Sequence, residues 1–224
     1  MRLLRSIMIL CWACVLSSCA TMTQRGWVPP PDFLDSASTQ AVVVRPDGTG
    51  FKVKVTAFEK NKVSGAWDRV MGPFSGVVGR SGIAVLNEKH EGDGKTPSGI
   101  FPLGPAFGKE VALETGLSYR QTFPDDVWVD DTKSPQYNQW VKTPTGAASF
   151  EKMLREDGLY DAGIVVQYNT TPVIPGRGSA IFMHIWRDNG RAPTAGCVAL
   201  EQRRLRELLK WLDIKKKPVI VIGN

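Results

Sequence analysis

The sequence predicts an α+β fold dominated by β-sheet, mixed or mainly antiparallel, with a few short helices. Three observations support this class. Short runs of alternating or β-branched residues recur along the chain, turn-forming residues separate them, and one segment near the C-terminus has clear helical spacing. Closely spaced strands connected by turns indicate mostly antiparallel pairing.

Four strands are predicted in the first third of the chain. Residues 40–44 form a β-branched run, and residues 51–58 alternate with apolar side chains on one face. The Asp47-Gly48 pair between them is a turn signal. Residues 67–71 and 76–78 are predicted as two further short strands.

The rest of the chain contains a predicted loop, a short helix and three strands. Residues 88–108 are rich in Gly, Pro and charge, which predicts a long structured loop. Residues 149–159 predict a short helix with apolar side chains on one side. Strands are predicted at residues 162–168, 179–186 and 219–222.

One amphipathic helix is predicted before the last strand. Leu205, Leu208, Leu209 and Leu212 recur at the i, i+3, i+4, i+7 spacing that places side chains on one helical face. The arginines and the glutamate between them face away, and the helix is expected to begin near Glu201.

The N-terminus has the pattern of an export signal. Arg2 and Arg5 precede an apolar stretch at residues 7–16 that is too short to span a bilayer as a stable helix. Leu16-Ser17-Ser18-Cys19 then resembles the lipobox of bacterial lipoproteins, in which the cysteine is lipidated. We therefore expect a signal peptide at residues 1–18 and a lipid anchor on Cys19.

A tether and one folded domain are expected after the signal. Residues 19–39 are rich in Ser, Thr and Gln and include Pro29-Pro30-Pro31, which favours extended polyproline geometry. The folded domain is predicted at residues 40–224. Ala20 is not an inner-membrane retention aspartate, so we expect the periplasmic face of the outer membrane if the cell is Gram-negative.

Composition excludes several classes of function. Hydrophobic residues make up 42% of the 224 residues, which argues against extensive disorder. The formal net charge of +6 falls to +4 once Arg2 and Arg5 leave with the signal, and no aromatic and basic stripe suggests a nucleic-acid partner. Two histidines and one remaining thiol cannot form a zinc cluster of ordinary spacing, so neither a metal nor another cofactor is expected.

Cys197 is the candidate reactive residue because it is the one free thiol expected in the mature chain. Cys11 and Cys14 leave with the signal and Cys19 carries lipid, so Cys197 has no disulfide partner outside the reducing cytoplasm. An unpaired thiol in an exported protein suggests that Cys197 has a reactive role.

His184 is the candidate base for this thiol. A strand, a turn and a returning segment in a hairpin-like arrangement would place His184 beside Cys197, and a thiolate–imidazolium pair would form. A helix beginning just after Cys197 would favour the thiolate further, and N–H groups around Gly196 and Cys197 could bind a developing oxyanion. The plain alternative is a buried small side chain and a satisfied core histidine.

These residues also carry a resemblance to a known family. Phe182-Met183-His184 followed by Thr194-Ala195-Gly196-Cys197-Val198 resembles the active-site signature of the YkuD-type L,D-transpeptidases. The segment Thr96-Pro97-Ser98-Gly99-Ile100-Phe101 is similar to the family's TPxGxF segment, and residues 167–169 and 176–181 resemble a lesser-studied branch. The resemblance covers residues 40–222.

The resemblance implies a β-rich domain in which Cys197 is the nucleophile and His184 the general base. The backbone carbonyl of Ile185 would complete the triad, with Thr194 and Gly196 supporting the site. The implied substrate is the peptide stem of peptidoglycan. The thiolate would attack the third stem residue, a diamino acid, and expel the terminal D-alanine, and an amine or water would then resolve the thioester.

Two departures from the common pattern leave the acceptor open. Ile185 stands where glycine commonly follows the histidine, and Ala199 stands where an arginine is common. Asn169 and Arg177 lie just upstream of the histidine strand and are further candidates to hold a stem-peptide carboxylate or carbonyl. Two alternatives remain: an L,D-carboxypeptidase or amidase-type hydrolase with the same nucleophile, and a non-catalytic peptidoglycan-binding lipoprotein.

Overall fold

The computed structural model describes residues 37–223, and the secondary structure of this part is twelve strands and one α-helix, with short 3-10 turns. The predicted signal at residues 1–18, Cys19 and the tether up to residue 36 lie outside the described residues. The elements are β1 (Gln40–Pro46), β2 (Lys52–Lys60), β3 (Trp67–Val77), β4 (Gly99–Gly108), β5 (Tyr119–Gln121), β6 (Asp126–Val129), β7 (Trp140–Lys142), β8 (Phe150–Lys152), β9 (Ala162–Val166), β10 (Phe182–Ile185), β11 (Val198–Leu200), α1 (Gln202–Trp211) and β12 (Val219–Ile222).

Nine strands form one sheet that closes on itself. Their order is β12-β1-β2-β3-β11-β10-β9-β4-β5, and β4 pairs in addition with β12. The first half of β4 bonds to β12 and its second half to β5, so one long strand serves both neighbours on the same side. Closure satisfies strand edges that would otherwise expose unpaired backbone groups.

The β-dominated α+β class is confirmed, and the sheet is mixed. Six of its pairings are antiparallel, and three are parallel: β1 with β12, β10 with β11, and β4 with β5. β4 and β5, and likewise β10 and β11, follow each other directly in the sequence, so the connection within each pair must cross the sheet before the next strand begins. Local alternation cannot report such pairings, since it specifies which face a side chain occupies and not which strand lies beside it.

The main core lies between the sheet and α1. The predicted leucine face is correct: Leu205, Leu208 and Leu209 are buried on α1, and Leu212 is buried just beyond its end. They pack into one cluster with strand residues such as Val42 and Ile220. A second buried cluster lies on the other side of β9 and β10 and contains large aromatic side chains.

The prediction of a loop over residues 88–108 is wrong in its second half. Residues 99–108 form β4, which carries Leu103, Ala106 and Phe107 into the interior. The Gly and Pro residues are tolerated because β4 is held by β9 on one side and by β12 and β5 on the other. Tertiary pairing here overrides the local turn signals.

The helix predicted at residues 149–159 is also wrong. Phe150–Lys152 is strand β8, and turns follow it. It pairs with β6, which also pairs with β7, so these three strands form a separate small sheet. The two short strands predicted at 67–71 and 76–78 are, in contrast, one continuous strand, β3.

Truncating Ile220 tests the closing strand. Ile220 is fully buried on β12 and pairs with both β1 and β4, so Ile220→Ala is expected to lower the free energy of unfolding by about 2–5 kcal/mol. The control Val63→Ala removes carbon from a side chain that is 98% exposed and is expected to change it by less than about 0.5 kcal/mol. Urea unfolding measures both, and equal losses would contradict the arrangement.

Candidate active site

His184 and Cys197 are brought together by the parallel pairing of β10 and β11. Met183 lies opposite Val198, and His184 lies opposite Ala199. Met183 and Val198 face the main core, whereas Phe182 and Cys197 belong to the aromatic cluster on the other face. The predicted hairpin-like arrangement is therefore wrong in direction, although it named the correct neighbouring segments.

The helix predicted to begin near Glu201 is confirmed, with Glu201 as its N-cap, but it does not begin directly after Cys197. Val198–Leu200 form β11, and α1 begins only at Gln202. The N-terminal end of α1 therefore does not lie next to the sulfur in sequence, and the helix dipole, whose effect falls off within the first turn, is not the source of thiol activation.

The Cys197 thiol is buried and hydrogen-bonded to the backbone. Its Sγ–H donates to the Ala180 carbonyl at 3.3 Å, and Sγ accepts from the Phe182 N–H at 3.3 Å. Burial, with the negative charge of Glu151 as a smaller contribution, raises the pKa of Cys197 to about 12. The free protein therefore holds a neutral thiol at neutral pH.

The His184 ring is fixed in one tautomer. Its Nδ1 lies 2.8 Å from the Ile185 carbonyl oxygen. A carbonyl only accepts hydrogen bonds, so Nδ1 carries the proton and Nε2 of the neutral ring has a free lone pair. Burial lowers the pKa of His184 to about 4, so the ring is neutral at pH 7.

These two pKa shifts change the predicted resting state. The sequence predicts a thiolate–imidazolium pair, but burial disfavours both charged forms, so the cavity contains a neutral thiol and a neutral imidazole. The Tyr160 ring packs edge-on against His184, with centroids 5.3 Å apart, and helps to exclude water. Proton transfer from sulfur to ring would have to accompany substrate attack.

Thr194 and Gly196 organise the turn that leads to Cys197. The Thr194 hydroxyl donates to the Cys197 carbonyl at 2.7 Å and accepts from the Gly196 N–H at 3.1 Å. The Gly196 N–H is thus already engaged in this conformation. A Cβ at Gly196 would meet the Lys95 carbonyl oxygen at 3.0 Å, so glycine is required here for close packing.

Thr96 is a site residue that the sequence analysis quoted only as part of a motif. It is fully buried, and its hydroxyl accepts from the Gly79 N–H at 2.9 Å and contacts the Cys197 carbonyl at 3.4 Å. Through Thr96, the TPxGxF segment therefore bonds to the turn that holds Cys197. The motif in the sequence was the signal that could have identified Thr96 as a site residue.

A cavity of about 310 Å³ contains both candidate residues. Its wall combines four cationic side chains, three carboxylates and the cysteine turn. These lining residues are Arg80, Lys89, Glu91, Gly92, Asp130, Glu151, Arg155, Leu159, Tyr160, Ser179, Ala180, Ile181, His184, Arg187, Ala192, Pro193, Thr194, Ala195, Gly196 and Cys197.

The acidic residues of the wall were not identified from the sequence. Asp130 follows β6 and Glu151 lies on β8, so both come from the small sheet whose third strand was mistaken for a helix. Glu151 accepts from the Tyr160 hydroxyl at 2.7 Å and from Arg155 at 3.1 Å. Burial raises the pKa of Glu151, and the nearby Asp130 charge adds to this.

The carbonyl that holds the thiol belongs to a strained residue. Ala180 has φ of +52°, a conformation that costs free energy for a residue with a Cβ. Its N–H donates to Asn138, which also accepts from the Trp128 indole. Asn138 thereby ties the small sheet to the segment that positions the thiol.

Asn169 and Arg177 lie at a different cavity. Both line a second cavity of about 360 Å³, and neither lines the one that contains Cys197. The Asn169 amide bonds within its own loop, to the Ile174 and Gly178 carbonyls and the Ile174 N–H. Lys89 is shared by the two cavities.

Residues 37–223 contain neither a candidate metal-binding cluster nor a candidate membrane-spanning helix. Over this range no group of three or more His, Cys, Asp or Glu side chains is arranged to hold a metal ion. Within the same range, no helix has the length and apolar character needed to cross a membrane.

The thiol pKa predicts slow alkylation of Cys197. A pKa of about 12 leaves about one thiolate in ten thousand at pH 8, against about a quarter for an unfolded cysteine, so reaction with iodoacetamide should be at least about 100-fold slower in the folded protein than in urea. Peptide mapping assigns the label to Cys197 rather than to the other three cysteines. Equal rates in the two states would contradict a protonated resting thiol.

The His184 pKa predicts loss of stability in mild acid. Between pH 6.5 and 4 the unfolded chain takes up a proton at this position and the folded chain does not, so the free energy of unfolding falls as pH falls, by about 3 kcal/mol at pH 4. His184→Gln should lack this component, whereas His90→Gln, at an exposed histidine, should retain it. Urea unfolding at pH 7, 5.5 and 4 measures the difference, and parallel pH dependences in all three proteins would refute it.

Comparison with known proteins gives one match. No curated protein and no solved structure matches the chain significantly. Residues 41–221, which span nearly all of the described chain, match the YkuD family, whose domain is the L,D-transpeptidase catalytic domain and acts on peptidoglycan. With a match over most of its length and the cysteine turn, histidine strand and cavity in place, this chain belongs to the YkuD L,D-transpeptidase catalytic-domain family.

Proposed function

We propose that this protein is a cysteine-dependent L,D-transpeptidase that acts on peptidoglycan stem peptides through a thioester on Cys197. One observation carries the proposal: Cys197 and His184 line the same cavity, and the Ile185 carbonyl fixes the His184 tautomer that leaves Nε2 able to accept a proton. The family membership supports the class of reaction.

The first half-reaction forms the acyl-enzyme. Sγ of Cys197 bonds to the carbonyl carbon of the third stem residue while its proton passes to Nε2 of His184. The bond from this carbon to the nitrogen of the terminal D-alanine then breaks, and Nε2 returns the proton to the leaving amine. The products are a thioester and free D-alanine.

The second half-reaction releases the product. An amine of a second stem attacks the thioester carbon, passes a proton to Nε2, and displaces the sulfur, which recovers the proton from His184. Water attacking in place of the amine would give a shortened stem. The burial of Cys197 and His184 supports amine transfer, because it limits the water that reaches the thioester.

Burial makes the charged forms of both Cys197 and His184 unfavourable in the free protein. A thiol with a raised pKa is a poor nucleophile until a base accepts its proton. A neutral imidazole with a lowered pKa is a weak base. Forming the ion pair in one concerted step with attack avoids a costly isolated charge. Protection of the thiol between turnovers follows from the same burial.

We also propose that the protein is a lipoprotein of the cell envelope, exported by residues 1–18 and anchored through Cys19. The sequence pattern of the N-terminus supports this, and residues 19–39 would then hold the domain at a distance from the membrane, on the periplasmic face of the outer membrane in a Gram-negative cell.

Muropeptide analysis tests the reaction. Wild-type protein incubated with tetrapeptide stems should yield cross-linked dimers and free D-alanine, with an acylated protein detectable by intact mass. Cys197→Ala should abolish the products, and His184→Gln should lower the rate by about 10²–10⁴-fold. The matched control His90→Gln changes the other, exposed histidine and should retain full activity.

Two results would overturn the proposal. Unchanged products with Cys197→Ala would remove the nucleophile, and unlabelled wild-type protein with intact stems would indicate a non-catalytic binding protein. Shortened monomers without dimers would assign the hydrolase instead.

A further inference from the structure

One carboxylate in the active-site cavity has an oxygen with no partner. Of the described residues, three have a fully buried side-chain oxygen or nitrogen without a hydrogen bond: Ser98, Thr122 and Asp130. The Asp130 Oδ1 is the charged one of the three, and Asp130 lines the cavity that contains Cys197. A buried acceptor left unpaired costs free energy, more so when it is charged. No group within residues 37–223 therefore donates to this oxygen.

Glu151 lies on the strand that neighbours the Asp130 end of β6, near enough for the Asp130 charge to raise the pKa of Glu151. Trp128 on β6 pairs with Glu151 on β8, and Asp130 lies two residues beyond Trp128, so Asp130 and Glu151 share one face of the small sheet at a diagonal position. Both hydrogen bonds to the Glu151 side chain, from Arg155 and Tyr160, fall on Oε1. The second oxygen, Oε2, is not used by either.

The cations near this wall are already bonded to other carboxylates. Arg155 bonds to both Asp157 and Glu151, Arg187 bonds to Asp157, and Lys89 bonds to Asp93. Asp130 forms no ion pair with any of them, and its Oδ1 has no hydrogen-bond partner in the described part of the chain. The Asp130 carboxylate therefore favours a small cation with several N–H donors.

We propose that Asp130, with Glu151 beside it, binds a primary ammonium group of the peptide substrate and makes the protein selective for stems that carry a free side-chain amine. The inference rests on the proposed function, since it takes the cavity around Cys197 to be the peptide site. The ammonium belongs either to the side chain of the donor stem or to the acceptor amine. Its three N–H donors match the unpaired Asp130 Oδ1 and the Glu151 Oε2.

Binding of an ammonium here would also act on the thiol. After burial, the Glu151 charge is the next largest cause of the raised pKa of Cys197. A cation placed between Asp130 and Glu151 offsets this charge, so the correct substrate eases ionisation of the sulfur as it binds. Selection of the substrate and activation of the nucleophile would then be one event.

Peptide binding to the unreactive Cys197→Ala protein tests the proposal without requiring catalysis. Calorimetry compares a tetrapeptide stem that has a free side-chain amine with the same peptide acetylated on that amine. If the donor amine occupies the subsite, acetylation should weaken binding about 10- to 100-fold. Adding Asp130→Asn should weaken binding of the free-amine peptide by a similar factor and leave the acetylated peptide unaffected.

The acetylated peptide also serves as the folding control, because its unchanged affinity shows that the Asp130→Asn cavity is intact. Asp125→Asn is the matched variant: this aspartate lies just before β6, pairs with Lys142 and does not line the cavity, so both peptides should bind as before.

A second arm distinguishes the acceptor amine from the donor amine. Wild-type and Asp130→Asn proteins, acylated with the acetylated tetrapeptide, are offered a tripeptide with a free amine. If the acceptor amine occupies the subsite, Asp130→Asn should raise the acceptor concentration for half-maximal transfer from the preformed acyl-enzyme about 10- to 100-fold.

Each outcome has a defined meaning. An effect in either arm supports the ammonium subsite and names its source. Indifference to acetylation and to Asp130→Asn in both arms overturns the subsite while leaving the proposed function standing. Absence of any peptide binding by the Cys197→Ala protein, together with no acylation of wild type, overturns both.

Discussion

The register between β10 and β11 is the constraint on which the site depends. Because Met183 lies opposite Val198, side chains of one parity enter the main core under α1, and those of the other parity, His184 and Cys197 among them, face the cavity. A slip of one residue would bury the thiol in the aliphatic core and turn the imidazole away from it. The leucine face of α1 stabilises this register, since it packs on the core side of the same strands.

Burial then determines the chemistry. The same exclusion of water that raises the pKa of Cys197 lowers that of His184, so the free protein holds a neutral thiol and a neutral imidazole. Two backbone carbonyls fix the hydrogen positions. The Ile185 carbonyl selects the histidine tautomer, and the Ala180 carbonyl accepts a hydrogen bond from the thiol. Neither role depends on a side-chain type, so Ile185 supplies its carbonyl as glycine would.

The small sheet, formed by β6, β7 and β8, contributes acidic side chains to the cavity wall. It contributes Asp130 and Glu151 to the wall, and through Asn138 it reaches the segment that holds the thiol. The large sheet thus supplies the cysteine turn and the histidine strand, while a peripheral three-stranded unit supplies two carboxylates of the cavity wall. Substrate preference can change there without altering the cysteine turn itself.

Sequence alone determined the β-dominated class, the leucine helix, the strands β1, β2, β9, β10 and β12, and the candidate pair Cys197 and His184, because periodicity and motif spacing are local properties. Tertiary structure alone decided that β10 and β11 are parallel, that residues 99–108 form a strand, and that residues 150–152 belong to a second sheet rather than a helix. It also decided that Asn169 and Arg177 line another cavity and that Asp130 and Glu151 line this one. Those outcomes depend on which distant segments meet and on how much water they exclude. A short stretch of sequence specifies neither the burial of its residues nor the strand that pairs with it.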